Sequence, residues 1–139
     1  MSVVVDASVT MAWHFEDERT EAADAILTRV AEGGAIVPFH WRAEVANSFL
    51  MAERRARTTA DFTERSLKDL GGLPIAIDPH GAEMAWGRTR QLAAKNNLTI
   101  YDAIYLELAI RTDLPLATLD LPLARAATAS GVTVLGAVL

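Results

Sequence analysis

Cysteine is absent from the 139-residue chain, which excludes disulfides, zinc ribbons, thiolate metal ligands and a cysteine nucleophile together. Any bound metal must therefore be held by oxygen or imidazole. No run of about 20 uninterrupted apolar residues is present to span a bilayer, and the amino terminus lacks the basic start and apolar core of a secretion signal. No membrane association is expected, and the chain is expected in the cytoplasm. A Pro/Gly/Ser-rich linker is missing, as is any internal repeat, and the length suits one core, so residues 1–139 are expected to form a single domain. Cationic surplus is also lacking: the formal net charge is −5. That speaks against broad nonspecific binding to phosphate backbones, which depends on clustered Lys and Arg, but not against nucleic acid as a substrate.

What is abundant is apolar. Hydrophobic residues make up 51% of the chain against 22% charged, high enough to leave apolar surface for a dimer or a second protein to bury. Strand-like runs at Val3 to Val5, Ala35 to Val37, Ile75 to Ile77, Leu116 to Ala117 and Val132 to Leu135 alternate with segments of helical period. The latter lie around Val9 to Phe15, Thr20 to Ala31, Trp41 to Arg55, Ala60 to Leu70, Gly81 to Lys95, Tyr101 to Arg111 and Leu121 to Ala129. This alternation predicts an α/β fold: a mainly parallel sheet of about four or five strands covered by about seven helices. Gly33-Gly34 and Gly71-Gly72 follow helix ends and suit left-handed C-caps.

Four acids, Asp6, Glu44, Asp102 and Asp120, stand beside apolar or strand-like segments. Asp6 ends the run Met1-Ser2-Val3-Val4-Val5, at the strand end where open parallel sheets place ligands. Each aspartate also has a structural reading. Asp6 and Asp120 are favoured N-caps, the latter just before Leu121-Pro122, and Thr99 with Asp102 has capping-box spacing. Glu44 fits that reading worst, because it lies inside a helical segment, about 60° around from Trp41 and within about 20° of Met51. If the four converge, they cannot all stay ionised without a cation or protons. Setting those charges aside leaves the rest of the chain close to neutral.

The strings Val4-Val5-Asp6-Ala7-Ser8, Glu44-Val45-Ala46-Asn47, Tyr101-Asp102-Ala103-Ile104-Tyr105 and Ala117-Thr118-Leu119-Asp120, in this order across nearly the whole chain, resemble the PIN-domain nucleases. The length, the approach from Pro38 to Glu44 and the segment Leu98 to Ala109 resemble the VapC toxins of toxin–antitoxin modules. That resemblance implies a PIN fold and an endoribonuclease using Mg²⁺ or Mn²⁺, silenced by a cognate antitoxin and forming a homodimer. It implies catalytic roles for Asp6, Glu44, Asp102 and Asp120. Asp6 and Asp102 are the expected direct metal ligands, Glu44 and Asp120 meet the metal or its waters, and one acid accepts a proton from the attacking water. Hard ions of this kind prefer carboxylate oxygen and keep waters, which suits an acidic quartet without cysteine. Ser8, Asn47 and Thr118 match polar positions near the family's acids and are expected to orient carboxylates or waters.

Other features carry less. Arg54, Arg55 and Arg57 read either as the solvated end of a helix, suited to its dipole, or as contacts to substrate phosphate. His14, His40 and His80 share no ligand spacing and are assigned surface or structural roles, with His40 lying one turn before Glu44. Trp13, Trp41 and Trp86 sit in apolar helical patterns and are expected in the core or a dimer contact. No base-reading motif is visible. Two further enzyme classes, receiver and aspartyl phosphatase, lack their second acid or late-strand lysine here. A catalytically silent PIN-like module that binds RNA or protein is the alternative function, although it could lose an acid freely and all four are present.

Overall fold

Val3, Val4 and Val5 have no solvent exposure, the burial expected of a parallel strand covered on both faces. In the computed structural model, which describes residues 1–139, Val4 and Val5 form the central strand of a five-stranded sheet. In chain order the elements are β1 (Val4–Val5), α1 (Ala7–Ala12), a 3-10 turn (Glu16–Glu18), α2 (Glu21–Gly33), β2 (Ala35–Val37), α3 (Trp41–Arg54), α4 (Ala60–Gly71), β3 (Ile75–Ile77), α5 (Gly81–Met84), α6 (Arg88–Asn96), α7 (Ile100–Thr112), β4 (Leu116–Thr118), α8 (Leu121–Ala129) and β5 (Val134–Gly136). The strands lie in the order β3-β2-β1-β4-β5 and every pairing is parallel. The expected α/β architecture holds, with five strands.

The order determines where a site can form. From β1 the chain moves outward one way through β2 and β3, and later the other way through β4 and β5, so the connections diverge beyond the carboxyl ends of β1 and β4. Open α/β sheets bind ligands in that crevice. Because helices start at the carboxyl edge and return along the sheet, the N-termini of α1, α3, α7 and α8 meet there.

Helix α7 is the packing centre. Residues Ala103 to Ala109 are all buried, so it is apolar on nearly every side, as a helix enclosed by the fold must be. Trp41 is in the core and donates its indole N–H to Thr10 Oγ1 at 3.1 Å. Trp13 packs against that core and donates to the Ala23 carbonyl at 2.9 Å.

The structure corrects several expectations. There are eight α-helices, because the segment Gly81 to Lys95 divides at Ala85-Trp86-Gly87 into α5 and α6; glycine is a poor helix residue and the break falls on it. The first helix begins at Ala7, capped by Asp6, two residues before the apolar pattern shows it. Gly34 does adopt positive φ (+75°), but Gly72 stays at φ −85°. Left-handed helix ends occur instead at Asn97 and Asp113, two residue types that tolerate that conformation. Trp86 is 90% exposed and has no place in the core.

Candidate active site

Asp6 leaves β1 at its carboxyl end and is 4% exposed. Its Oδ1 accepts the Val9 amide at 3.1 Å, capping α1, and the Ser8 hydroxyl at 2.6 Å; its Oδ2 accepts the Thr118 hydroxyl at 2.5 Å. Capping and site placement are therefore compatible. A carboxylate has about four lone-pair sites, and the cap uses one. Burial raises the Asp6 carboxyl to about 6, against the opposing hydrogen bonds from Ser8, Thr118 and Val9, with Asp120 adding to the rise.

The same hydroxyls also accept from the turn after β4, Ser8 from across the crevice and Thr118 locally. Ser8 Oγ accepts the Leu119 amide at 2.9 Å, and Thr118 Oγ1 accepts the Asp120 amide at 3.0 Å. Ser8 and Thr118 thus join β1 to the turn after β4 at the divergence point. Asp120 caps α8, its Oδ1 accepting the Leu123 amide at 2.9 Å, with Pro122 in the first turn.

Asp102 sits in the first turn of α7, where Thr99 is the N-cap and its hydroxyl accepts the Asp102 amide at 3.2 Å. Its carboxyl is raised above the usual range, first by burial and then by the charges of Asp120 and Glu44. Glu44 lies in the first turn of α3, and its Oε1 accepts the Tyr105 phenol at 2.6 Å. His40 Nε2 stands 3.3 Å from the same oxygen and 3.0 Å from the Tyr101 carbonyl. A carbonyl only accepts, so Nε2 carries a proton and donates.

The four acids therefore share one electrostatic field at the carboxyl edge. Nowhere are three or more Asp, Glu or His side chains gathered at metal-ligand spacing. The donor chemistry still fits a hard cation that retains most of its waters and takes only one or two carboxylates directly, and the raised Asp6 and Asp102 carboxyls are groups a cation would return to their ionised form. Asn47 is exposed and lines a groove with Ser8, Met51, Arg55 and Arg57.

Sequence reasoning missed Tyr105 and undervalued His40. Tyr105 is 2% exposed and its phenol is pushed up by burial and by the Glu44 charge. Its one signal was a polar handle in an apolar run, one helical turn beyond Asp102. Of the arginine cluster, Arg57 pairs with Asp17 and Glu18 at 3.2 and 3.1 Å and stacks over Phe15, so it is engaged within the fold.

The PIN domain family matches residues 3–129. Ribonuclease VapC3 of Pyrobaculum aerophilum is 32% identical over 124 residues, covering 89% of this chain and 93% of that protein. Among solved structures, PAE2754 from Pyrobaculum aerophilum superposes with a TM-score of 0.68 at 22% identity, over 96% of this chain and 89% of that one. VapBC2 from Rickettsia felis, bound to a DNA fragment from their promoter, gives 0.66 at 12% identity, over 96% and 97%.

Proposed function

The chain belongs to the PIN domain family, in its VapC ribonuclease branch, and on that premise we propose that it is a divalent-metal-dependent endoribonuclease and the toxin of a toxin–antitoxin pair. The observation that carries the proposal is the meeting of Asp6, Glu44, Asp102 and Asp120 in one field at the divergence point of the sheet, with Asp6 and Asp102 both held above the usual carboxylate range.

Asp6 and Asp102 are the residues to hold Mg²⁺ or Mn²⁺, with Glu44 and Asp120 facing its waters. Once bound, such an ion lowers the pKa of a water and neutralises charge developing on the phosphoryl oxygens. The chain's own contribution is orientation. Ser8 and Thr118 hold both oxygens of Asp6. Tyr105 and His40 both face Oε1 of Glu44, which leaves Oε2 to accept a proton from water. The N-termini of α1, α7 and α8 add favourable potential for a phosphodiester approaching over the acids.

A cognate antitoxin is the proposed partner, supported by the VapC ribonuclease relative. Physically, an arginine-bearing segment would pair with the carboxylates and compete with the metal. Apolar surface is available as well: Trp41, Val45, Leu67, Leu70, Leu73 and Ile77 line a groove between α3, α4 and the β3 edge. We propose a homodimer in the cytoplasm; no helix is long and apolar enough to cross a membrane.

The test is incubation of purified protein with structured RNA in Mg²⁺, Mn²⁺ or EDTA, beside folded Asp6→Asn and Asp102→Asn variants. Metal-dependent cleavage by the wild type, lost in both variants, is expected. Absence of cleavage in every condition, with metal binding unchanged in the variants, would favour a silent binding module.

A further inference from the structure

Two exposed aromatic side chains flank His40: Tyr101, 65% exposed and next in sequence to Asp102, and Phe39, 45% exposed with its ring edge toward Gly81. Their backbones are fixed by the elements that carry the site. Phe39 precedes His40, the residue at the start of α3, and Tyr101 precedes Asp102 in the first turn of α7. Between them lies the imidazole of His40, with centroids 5.5 Å from the Phe39 ring and 6.2 Å from the Tyr101 ring, and interplanar angles of 47° and 32°. The Tyr105 ring supports it from beneath at 5.0 Å.

His40 is itself immobilised by the Tyr101 carbonyl and by Glu44. The result is a ridge of three rings, Phe39, His40 and Tyr101, running from the start of α3 to the start of α7. Glu44 is bonded to its middle and Asp102 adjoins its end. Large aromatic faces left in water at such a place are surface awaiting a flat partner.

We propose that this ridge is a nucleobase-stacking subsite, on which unpaired bases adjoining the phosphate at the acids lie against the exposed faces of Tyr101 and Phe39. It rests on the proposed reading of the acids as the place where an RNA phosphodiester is held. Charge favours this occupant. An acidic cleft repels the backbone of its own substrate, so affinity close to the reacting phosphate must come from contacts that do not depend on phosphate charge. Stacking on aromatic rings supplies them and tolerates any base. Stacking requires an unpaired base, so the ridge selects single-stranded or looped RNA over duplex.

The experiment uses a short single-stranded RNA carrying 2-aminopurine, mixed with full-length protein in EDTA so that binding is read without cleavage. Quenching of the probe is expected with wild type and with Tyr101→Phe, which keeps the ring. Tyr101→Ala and Phe39→Ala should each weaken binding by about tenfold or more, the weight of one stacked base. In Mg²⁺ the same variants should raise KM with kcat little changed, and an abasic nucleotide beside the cut should remove the difference between them and wild type. Both side chains are exposed, so folding is expected to survive and is checked by circular dichroism. An unquenched probe, or alanine variants that bind as wild type does, overturns the proposal. So does a change of sedimentation mass in those variants with RNA affinity unaltered, which would make the ridge a subunit contact. Quenching without any cleavage would instead sink the ribonuclease reading alone.

Discussion

At Asp6 two demands oppose each other. The side chain caps α1 and is almost fully buried, and burial raises its carboxyl to about 6, whereas a free aspartate titrates near 4. A proton therefore binds the folded state more tightly than the unfolded one. In metal-free protein this group's contribution to stability is greatest below about pH 4 and declines as pH rises through 6. Each pKa unit is worth about 1.4 kcal/mol, so Asp6→Asn in EDTA at pH 7.5 should gain on the order of 1 to 3 kcal/mol. The gain should shrink by pH 4.5, and RNA cleavage should fall to background throughout. Urea unfolding at the two pH values checks this, and an Asn variant less stable than wild type at pH 7.5 would refute it. Tyr105 offers a complementary test, because its phenol holds Glu44 without facing solvent. Tyr105→Phe removes one hydrogen bond to a charged group, about 1.5 to 3 kcal/mol. We expect kcat to drop about tenfold or more with KM nearly unchanged, while Tyr101→Ala moves KM; a KM effect alone in Tyr105→Phe would dismiss its positioning role. The three aspartates stood out in the sequence because each lies where an element ends or opens, and Glu44 because an acid beside the apolar stripe of a helical segment has no capping role. The Tyr105–Glu44 contact was not, since it joins residues 61 apart and no local pattern encodes it.

Among the elements, α7 carries a second cluster of charge that no sequence pattern announced. Glu107 is 1% exposed and Asp78, after β3, is 3% exposed. Arg111 bridges them, its guanidinium reaching Asp78 Oδ2 at 2.6 Å and Glu107 Oε2 at 2.8 Å. Burial alone would raise the Asp78 carboxyl, but the hydrogen bonds and charge of Arg111 outweigh it and hold the group below the usual range. The clamp ties the β3 edge of the sheet to the helix whose first turn presents Asp102. Removing the cation strands two buried carboxylates, so Arg111→Met should cost about 3 to 5 kcal/mol in urea unfolding. Replacing all three residues with apolar ones should recover much of that loss. A depressed carboxyl makes the stabilisation present above about pH 4 and lost as pH falls through the folded-state value of Asp78, opposite in sign to Asp6. An Arg111→Met protein of wild-type stability at pH 7 would contradict this account. The strands at Ala35–Val37 and Ile75–Ile77 were legible because apolar runs between turn signals have few other uses. The division of α5 from α6 was not, since a single Gly87 inside a helical period leaves the pattern nearly intact. Trp86 was misjudged for the same reason: it lies at the break, where the helical phase no longer points inward.

For the whole molecule, the decisive quantity is where its charge lies. The net charge of −5 is concentrated at the carboxyl edge, where four acids share one field, and the rest of the chain is close to neutral. Folding therefore carries an electrostatic penalty, and a cation or a guanidinium-bearing partner relieves it. On the proposed reading, that common origin would tie metal, antitoxin and stability to one site. Expressed alone, the chain should arrest growth, and co-expression of the antitoxin or the Asp6→Asn substitution should restore it; abundant soluble wild-type protein with normal growth would count heavily against the toxin proposal. A ligand that binds only the folded state adds RT ln(1 + [L]/Kd), about 2.7 kcal/mol at a hundredfold excess over Kd. For a domain of roughly 140 residues that corresponds to a rise in Tm of about 5 to 10 °C. Mg²⁺ or Mn²⁺ at pH 7.5 should raise the wild-type Tm in this way, and neither should do so for Asp6→Asn or Asp102→Asn. The increment should also shrink toward pH 5, because protons then compete for Asp6 and Asp102, both of which titrate higher than ordinary aspartates. A Tm increment independent of pH and retained in both variants would place the ion elsewhere on the surface and separate it from the acids.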